Sequence, residues 1–499
     1  MSSTNGTRVL AIGIDAAEPS FVRLLIAQDK MPALKSLLDQ GRWLRVESPA
    51  HIGSGSVWPT FITGDEPTRH GVYGEWGWQP EMMGLKRYSG QHLKPFWKPL
   101  AERGVRIGIL DVPFAPFIGL NNGFELCEWG PHDLLEGRRK CAPAKIADLV
   151  TKEFESHPLS LDRLDTAGPQ DDHGLKALTG GCHRGVKLRG AVGKRLINET
   201  EAQLSIVVFT EIHHSAHYLW HTVAGQHALY QNEEFRNLPV CQPTLTDIYV
   251  EVDRQIGELI AAVGDTATVM VFSLHGMRPT HGVPTFLQPL LCELGYARFA
   301  NWNKRSWTER AIALFAATKR HTPGQLKRLY YKTLPPTTTL RIARPTMMAT
   351  YDWSHTRAFS LPADQHGWVH INLNGRESRG VVLPDEYARI CDELELMLKS
   401  LVTHDGGPIV RDVFRTASNA SEAINQRLPD IVVHWHDAAF SAPLKIKGSG
   451  LELFPAGRKF TGRHARDGFC IFKGNDRLVP GETLRARDMH RVIVESLQC

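Results

Sequence analysis

Short apolar runs rich in β-branched residues alternate with helical patterns along this chain of 499 residues. The runs predict strands and the intervening patterns predict helices, with strands at 9–14, 105–110, 204–209 and 268–273 and helices at 31–40 and 245–263. Strands joined through helices pair in parallel, because a parallel pair needs a long crossover connection. The sequence therefore predicts an α/β fold, a three-layer sandwich with a central, mostly parallel sheet and helices on both faces.

The composition is that of a globular protein, with 42% hydrophobic and 22% charged residues. The net charge of +5 is modest and no aromatic residues interleave with a basic repeat, so we expect no nucleic-acid partner. No apolar run approaches the length of about 20 residues that crosses a bilayer, so no transmembrane segment is predicted. The eight cysteines form no C-x-x-C pair and no apolar leader opens the chain, which predicts a cytoplasmic protein.

A basic stretch interrupts the strand and helix pattern at 301–345. It carries ten Lys and Arg residues against one acidic residue, Glu309. A charge run of this kind is most often a solvated helix face. The functional alternative is a basic lid over an anionic substrate or an interfacial patch. We predict one domain over 1–499, with a basic helical insertion or cap at 301–345.

Histidines follow the predicted strands. His213 and His217 come just after the run 204–209 and stand one helical turn apart, so both imidazoles can face one ion. His275 and His464 lie in similar settings. With 23 histidines in the chain a chance pair is unsurprising, but functional groups collect beyond the carboxyl ends of strands in open α/β sheets. The pattern therefore favours a metal-dependent enzyme.

A carboxylate and two hydroxyls complete the candidate residues. Asp15 ends the first predicted strand, where a carboxylate is often a metal ligand, with an N-cap as the plain alternative. Ser54 and Ser56 lie in a run of small residues before a helical pattern. A hydroxyl at such a position, beside a metal ion, becomes a nucleophile. Local chemistry leaves the choice between the two serines open, and an ordinary serine-rich turn is also compatible.

The ordered series of motifs resembles the alkaline phosphatase superfamily, in particular its type I phosphodiesterase/nucleotide pyrophosphatase branch. The resemblance extends through nearly the whole chain, over positions that include Asp15, Trp58, Thr63, Gly64, His70, Trp97, Glu211, His217, His275, Trp353, Asn372, Glu377, Asp430 and His464. It implies an alkaline-phosphatase-like fold and a metal-dependent phosphoric-ester hydrolase. Two zinc-type ions flank a Ser or Thr nucleophile in that family, and the nucleophile position falls on Ser54.

The resemblance also implies two metal sites, one at His213, His217 and His464 and the other at Asp15 and His275. Position 213 is His where the family usually has Asp, and position 274 is Leu where it usually has Asp. Three imidazoles can still hold a catalytic ion. Leucine offers no donor atom, so the second site is expected to be weak, empty or differently built. We predict one tightly held divalent ion, Zn²⁺ from its imidazole ligands, with iron or manganese as alternatives.

The implied substrate is a small-molecule phosphoric ester that Ser54 attacks. A phosphodiester is favoured over a monoester, because a less charged substrate needs fewer metal charges. Two alternatives stay open, a transferase of phospho-groups in a biosynthetic pathway and a non-catalytic binding relative, the latter made credible by Leu274. Sulfuryl ester cleavage is disfavoured, because the cysteine signature of sulfatases is absent.

Overall fold

The structure is a computed structural model, described here over residues 8–130, 139–159, 172–227, 230, 233–280, 286–300, 350–363, 365–436, 444–453 and 460–498. Its strands are, in chain order, β1 (Val9–Ile14), β2 (Arg42–Glu47), β3 (Trp76–Gln79), β4 (Gly84–Arg87), β5 (Ile107–Leu110), β6 (Gly123–Cys127), β7 (Lys140–Ala142), β8 (Leu204–Phe209), β9 (Thr268–Ser273), β10 (Gly276–Pro279), β11 (Ala358–Leu361), β12 (Gly367–Ile371), β13 (Val410–Arg415), β14 (Ile431–Trp435), β15 (Leu444–Lys445), β16 (Glu452–Leu453), β17 (Gly462–Ala465), β18 (Gly468–Lys473) and β19 (Thr483–Arg485).

The α-helices of the same residues alternate with these strands along most of the chain. They are α1 (Pro19–Ala27), α2 (Pro32–Asp39), α3 (Val57–Thr63), α4 (Pro67–His70), α5 (Lys98–Glu102), α6 (Ala144–Glu153), α7 (Asp172–Thr200), α8 (Glu211–Leu219), α9 (Glu233–Arg236), α10 (Leu245–Val263), α11 (Leu287–Glu293), α12 (Tyr387–Lys399), α13 (Ala420–Ile424) and α14 (Met489–Ser496). None of these helices combines the length and the apolar character that crossing a membrane requires.

The central sheet has the order β19-β2-β18-β9-β1-β8-β5-β6-β7 within the described residues. Its middle, from β9 through β1, β8 and β5 to β6, is parallel throughout. Antiparallel pairs join β18 to both β9 and β2, and β7 to β6. The predicted mostly parallel sheet is therefore confirmed.

Helices cover both faces of this sheet, and β1 shows how the sequence divides them. Leu10 and Ile12 point into a core formed with α1, α2, α7 and α10. Val9 and Ala11 point to the opposite face, into a core formed with α3, α5 and α14. All six residues of β1 are buried, which is why a continuous apolar run rather than an alternating one marks this strand. The predicted three-layer α/β sandwich is confirmed.

A second, smaller sheet has the order β11-β12-β14-β13 and is antiparallel. We call it the small sheet. It has its own apolar core with α12. Beside that core Arg376 donates two hydrogen bonds to the buried carboxylate of Asp430, at 2.9 and 2.7 Å. The predicted insertion at 301–345 lies outside the described residues, and the single domain over 1–499 stays a prediction.

Candidate active site

Three histidine rings converge beyond the carboxyl ends of β8 and β1. His213 and His217 lie on α8, which follows β8 directly, and His464 lies on β17. Their Nε2 atoms are 3.0 Å apart between His213 and His217, 3.1 Å between His217 and His464, and 2.9 Å between His464 and His213. The structure thus brings three of the sequence-predicted residues together around one point.

The outer nitrogens of two rings fix the direction in which the inner ones face. Nδ1 of His217 donates to the carbonyl oxygen of Gly462 at 2.9 Å. Nδ1 of His213 donates to Oδ2 of Asp15 at 2.8 Å. A carbonyl and a carboxylate only accept, so each Nδ1 carries the proton and each Nε2 presents a lone pair. These lone pairs face the shared point.

A divalent metal ion fits this arrangement. Ligand nitrogens at about 2.0–2.1 Å from a tetrahedral ion of the zinc type stand about 3.3 Å apart, close to the 2.9–3.1 Å between the three Nε2 atoms. Burial, with the neighbouring imidazoles, lowers the pKa of His464 well below its ordinary value. A neutral imidazole is the form that binds metal, and His213 also has the carboxylate partner typical of metal-binding histidines.

Asp15 directs its two carboxylate oxygens to side chains of the chain itself. Oδ2 accepts from His213, and Oδ1 accepts from Nε1 of Trp58 at 2.8 Å. Burial alone would raise the pKa of the Asp15 carboxyl, but its interactions with His213, and to a smaller extent with His275 and Trp58, hold that pKa well below its usual range. Asp15 is therefore an ionised acceptor for a histidine ring at this site.

His275 lies beside the three histidines, and Leu274 points away from them. Nε2 of His275 is 3.6 Å from Oδ1 of Asp15, and its ring centroid is 4.6 Å from that of His464. Leu274 is 1% exposed and belongs to the apolar core beneath the sheet. Position 274 therefore contributes to packing. The carboxylate beside His275 is that of Asp15.

The loop that carries Ser54 and Ser56, here called the serine loop, leads into α3. Trp58 on α3 donates to Asp15 and so connects this loop to the site. Ser54 and Ser56 bound a 3₁₀ turn that leads into α3. The Ser56 hydroxyl is fully buried and donates to the backbone carbonyls of Pro49 and Gly53, at 2.9 and 2.6 Å. Ser54 is half-buried. The structure thus gives Ser56 a bonding role inside the turn and leaves Ser54 as the serine with access to solvent.

A buried ion-pair network, absent from the sequence prediction, holds the start of α8. Arg189 is fully buried and donates to Glu211 and to Asp111, each at 2.8 Å. His157 lies 3.1 Å from the same Glu211 oxygen. Burial would raise the pKa of Glu211, but Arg189 and His157 lower it to about 2. Arg189 is a charged residue among the buried positions of α7. Such a residue in an otherwise apolar helix face is the sequence signal that could have predicted this network.

Comparison with known families assigns the chain to a family. Residues 9–464 match the family described as type I phosphodiesterase / nucleotide pyrophosphatase. Because this match covers most of the chain, the protein belongs to that family. Its members are phosphoric-ester hydrolases and typically depend on metal ions, so the chain is an enzyme of that broad class.

Solved structures with a similar fold are distant in sequence. Phosphonoacetate hydrolase from Sinorhizobium meliloti, in complex with phosphonoacetate, is 15% identical over 98% of this chain and 96% of that chain, with a TM-score of 0.49. Murine ectonucleotide pyrophosphatase / phosphodiesterase 5, in complex with AMP, is 11% identical over 99% and 95% of the two chains, with a TM-score of 0.44. A sequence comparison with curated proteins finds no match. The family assignment therefore rests on the match over residues 9–464.

Proposed function

We propose that the protein is a metal-dependent hydrolase of phosphoric diesters that uses Ser54 as its nucleophile and a single divalent ion. The observation that carries the proposal is the convergence of the Nε2 atoms of His213, His217 and His464 to within 3.1 Å of one another. Catalytic zinc sites typically have three protein ligands and one open position. An all-imidazole ligand set suits Zn²⁺, with iron or manganese as alternatives.

Ser54 is the favoured nucleophile because of its exposure and its connection to the histidines. The competing hydroxyl of Ser56 is buried and bound to two backbone carbonyls. Trp58, four residues after Ser54, donates to Asp15, and Asp15 accepts from His213. This series of contacts ties the serine loop to the metal-binding helix, so that a substrate held at one is presented to the other.

The chemistry is a displacement at phosphorus. A divalent ion held by the three histidines supplies positive charge where a phosphoryl oxygen becomes more negative. The bond from Ser54 Oγ to phosphorus forms, the serine proton passes to solvent, and the bond from phosphorus to the leaving alkoxide breaks. The alkoxide takes a proton and departs as an alcohol. Water then attacks the phosphoseryl group, which releases a phosphoric monoester and restores the serine hydroxyl.

The residues of the second expected metal site support a single bound ion and a diester substrate. Leu274 provides no ligand atom, and Asp15 already accepts hydrogen bonds on both oxygens. Among the described residues, the carboxylate that the resemblance assigns to a second ion is therefore already engaged in hydrogen bonds. A phosphodiester carries one negative charge where a monoester carries up to two, so it needs less positive charge for binding and stabilisation.

Hydrolysis of bis(4-nitrophenyl) phosphate by the zinc-loaded protein tests the proposal. We expect Ser54→Ala to lower kcat by about a thousandfold or more, since loss of a nucleophile removes the covalent route. Ser56→Ala is the comparison variant: it removes a hydroxyl that anchors the turn, so we expect kcat to fall by about tenfold, far less than in Ser54→Ala. A Ser54→Ala variant with wild-type activity would refute the mechanism.

Two results would contradict the proposed hydrolase. Inertness of the wild type with zinc, iron and manganese, together with retained binding of a phosphodiester, would show a relative that binds its ligand without turnover. The same assay with added alcohols tests a phospho-group transferase. A transferase forms the alcohol-derived ester in preference to the product of hydrolysis, whereas the proposed hydrolase does not.

A further inference from the structure

Three ring N–H groups, two on the small sheet and one on the residue just before β12, hold the loop that precedes Ser54. We propose that His366, Trp368 and His434 are positioning residues that place the Ser54 hydroxyl for attack, an inference that rests on the proposed function. They act through the backbone of the loop, so they are distinct from the groups that touch substrate or metal. The small sheet thereby takes part in catalysis although it lies apart from the histidine centre in the fold.

The contacts fall on three consecutive carbonyl groups. Nε2 of His366 donates to Ala50 O at 3.0 Å, Nε2 of His434 to His51 O at 2.7 Å, and Nε1 of Trp368 to Ile52 O at 2.8 Å. A carbonyl oxygen only accepts, so each ring nitrogen is the donor. One residue, Gly53, separates the last anchored carbonyl from Ser54. Anchoring three successive peptide groups restricts the position of the residue that follows them.

The strand register explains why three donors reach one loop. β12 and β14 are antiparallel, with Trp368 opposite Val432 and Gly367 opposite Val433. Continuing this register places His366 opposite His434, and their ring centroids are 4.5 Å apart. His366 directly precedes β12 and Trp368 lies within that strand, two residues further on, so the extended backbone places the two side chains on one face. Donors on adjacent, hydrogen-bonded strands form a more rigid surface than donors on loops.

Close packing of the loop against the indole adds to this restraint. A Cβ atom on Gly53 would lie 2.8 Å from Cζ2 of Trp368 and 2.2 Å from the carbonyl oxygen of Tyr73. The backbone before Ser54 is therefore in direct contact with the ring that also bonds Ile52. The Tyr73 ring packs edge-on against Trp368 at 5.0 Å. The loop therefore packs against the Trp368 ring and the Tyr73 backbone. Its carbonyl groups from Ala50 to Ile52 accept the three hydrogen bonds.

The donors are themselves buried and constrained. Trp368 is 4% exposed, His366 6% and His434 2%. Burial lowers the pKa of His434 to about 4, so this ring is neutral near pH 7 and its Nε2 proton is committed to the loop. Misplacing a reacting group by about 1 Å can cost about a hundredfold in rate. Removal of one anchor should therefore change the rate more than the binding of substrate.

Steady-state kinetics on the full-length, zinc-loaded protein with bis(4-nitrophenyl) phosphate tests this inference. His434→Leu removes a donor, and we expect kcat to fall about tenfold or more while KM and the zinc content per chain stay unchanged. His434→Gln keeps an amide N–H near the position of Nε2, and we expect it to recover most of the lost kcat. Trp368→Phe keeps an aromatic side chain but removes the N–H and the part of the indole that packs against Gly53, and we expect a loss of kcat at least as large as that of His434→Leu.

His370→Leu is the matched control for damage to the small sheet. His370 is buried on the same strand, 5.5 Å from the Phe359 ring, and its substitution should lower stability without lowering kcat. If kcat is unchanged in both His434→Leu and Trp368→Phe while Ser54→Ala is inactive, this inference is overturned and the proposed function is not. An equal fall of kcat in His370→Leu would also overturn it. Full activity of Ser54→Ala would overturn the proposed function and this inference together.

Discussion

His213 and Asp15 are hydrogen-bonded across some 200 residues of sequence. The family resemblance predicts Asp at position 213, whereas His213 presents a ring whose Nδ1–H, on the side away from the other two histidines, needs an acceptor. Asp15 supplies that acceptor at 2.8 Å. We infer that Asp15, predicted as a metal ligand from the resemblance, acts instead as the outer carboxylate that orients His213. Such partners set the direction and basicity of a metal-binding imidazole.

Asp15→Asn tests this role through metal affinity. The amide can accept from His213 or from Trp58 through its oxygen but cannot satisfy both, so one of the two contacts is lost. We expect zinc affinity to fall about 10- to 100-fold, with one ion per chain still bound at saturation. His217→Ala is the comparison variant, which removes a ligand and should abolish tight binding.

A chelator-competition titration and metal analysis by mass spectrometry give both quantities. Unaltered zinc affinity in Asp15→Asn would contradict the outer role of Asp15. Two tightly bound ions in the wild type, with one lost in Asp15→Asn, would show that Asp15 is a ligand after all.

Individual residues of the site show what could be predicted from the sequence and what could not. The spacing of His213 and His217 follows from helix geometry, so a shared ion could be predicted from the chain alone. Local chemistry left the choice between Ser54 and Ser56 open, and only the family resemblance placed the nucleophile on Ser54; the bonds that Ser56 makes to Pro49 and Gly53 favour the same choice. Those bonds exist only once the turn has formed.

Among the secondary-structure elements, the predicted bounds were most accurate for strands whose residues are all buried, because their sequence is a continuous apolar run. β1, β8 and β9 have the predicted bounds because all their residues are buried. α10 also has its predicted bounds, since Thr244 forms a capping box at its start and Gly264 follows its end. The long helix α7 was missed because its glycines lower helix propensity. Those glycines instead permit close packing, which no local pattern reveals.

Gly185→Ala tests the packing role of one α7 glycine. A Cβ there would lie 2.0 Å from Nε2 of His157, which contacts Glu211 at the start of α8. We expect the free energy of unfolding to fall by about 1–3 kcal/mol, the usual cost of overpacking. Gly180→Ala is the matched control, since nothing lies within 4 Å of its added Cβ. We expect that variant to gain up to about 1 kcal/mol from helix propensity.

Urea unfolding of both variants measures the two effects. Equal changes in the same direction would contradict the packing argument. A fall in zinc affinity for Gly185→Ala alone would further connect His157 and Glu211 to the position of α8.

Across the whole molecule, the site joins parts of the chain that lie far apart in sequence. Asp15 and His464 come from opposite ends, and His366 directly precedes β12 of the small sheet. The sequence predicted Asp15 through its place after β1 and both residues through the family resemblance, although His464 lies within β17 and does not follow a strand. It did not predict the third, because the contact of His366 with Ala50 depends on how two sheets meet. Patterns along a chain predict its elements better than the contacts between distant ones.

Buried histidines should make the whole fold sensitive to acid. Burial lowers the pKa of His70 and His434 to about 4 and that of His370 to about 3, from about 6.5 in the unfolded chain. The unfolded state therefore binds more protons between these values. Stability is fully present above about pH 6.5 and is lost as the pH falls toward 4, by up to about 1.4 kcal/mol per pH unit for each histidine.

Urea unfolding from pH 7 to pH 4 measures this loss, with chelator-treated protein so that metal release adds nothing to the pH dependence. His370→Leu removes the group with the lowest of the three pKa values. The variant should be less stable at pH 7, but its stability should fall less steeply with acid, by about 1.4 kcal/mol per pH unit in the middle of the range. Parallel stability curves for the variant and the wild type would mean that His370 takes up its proton over the same pH range in the folded and the unfolded protein.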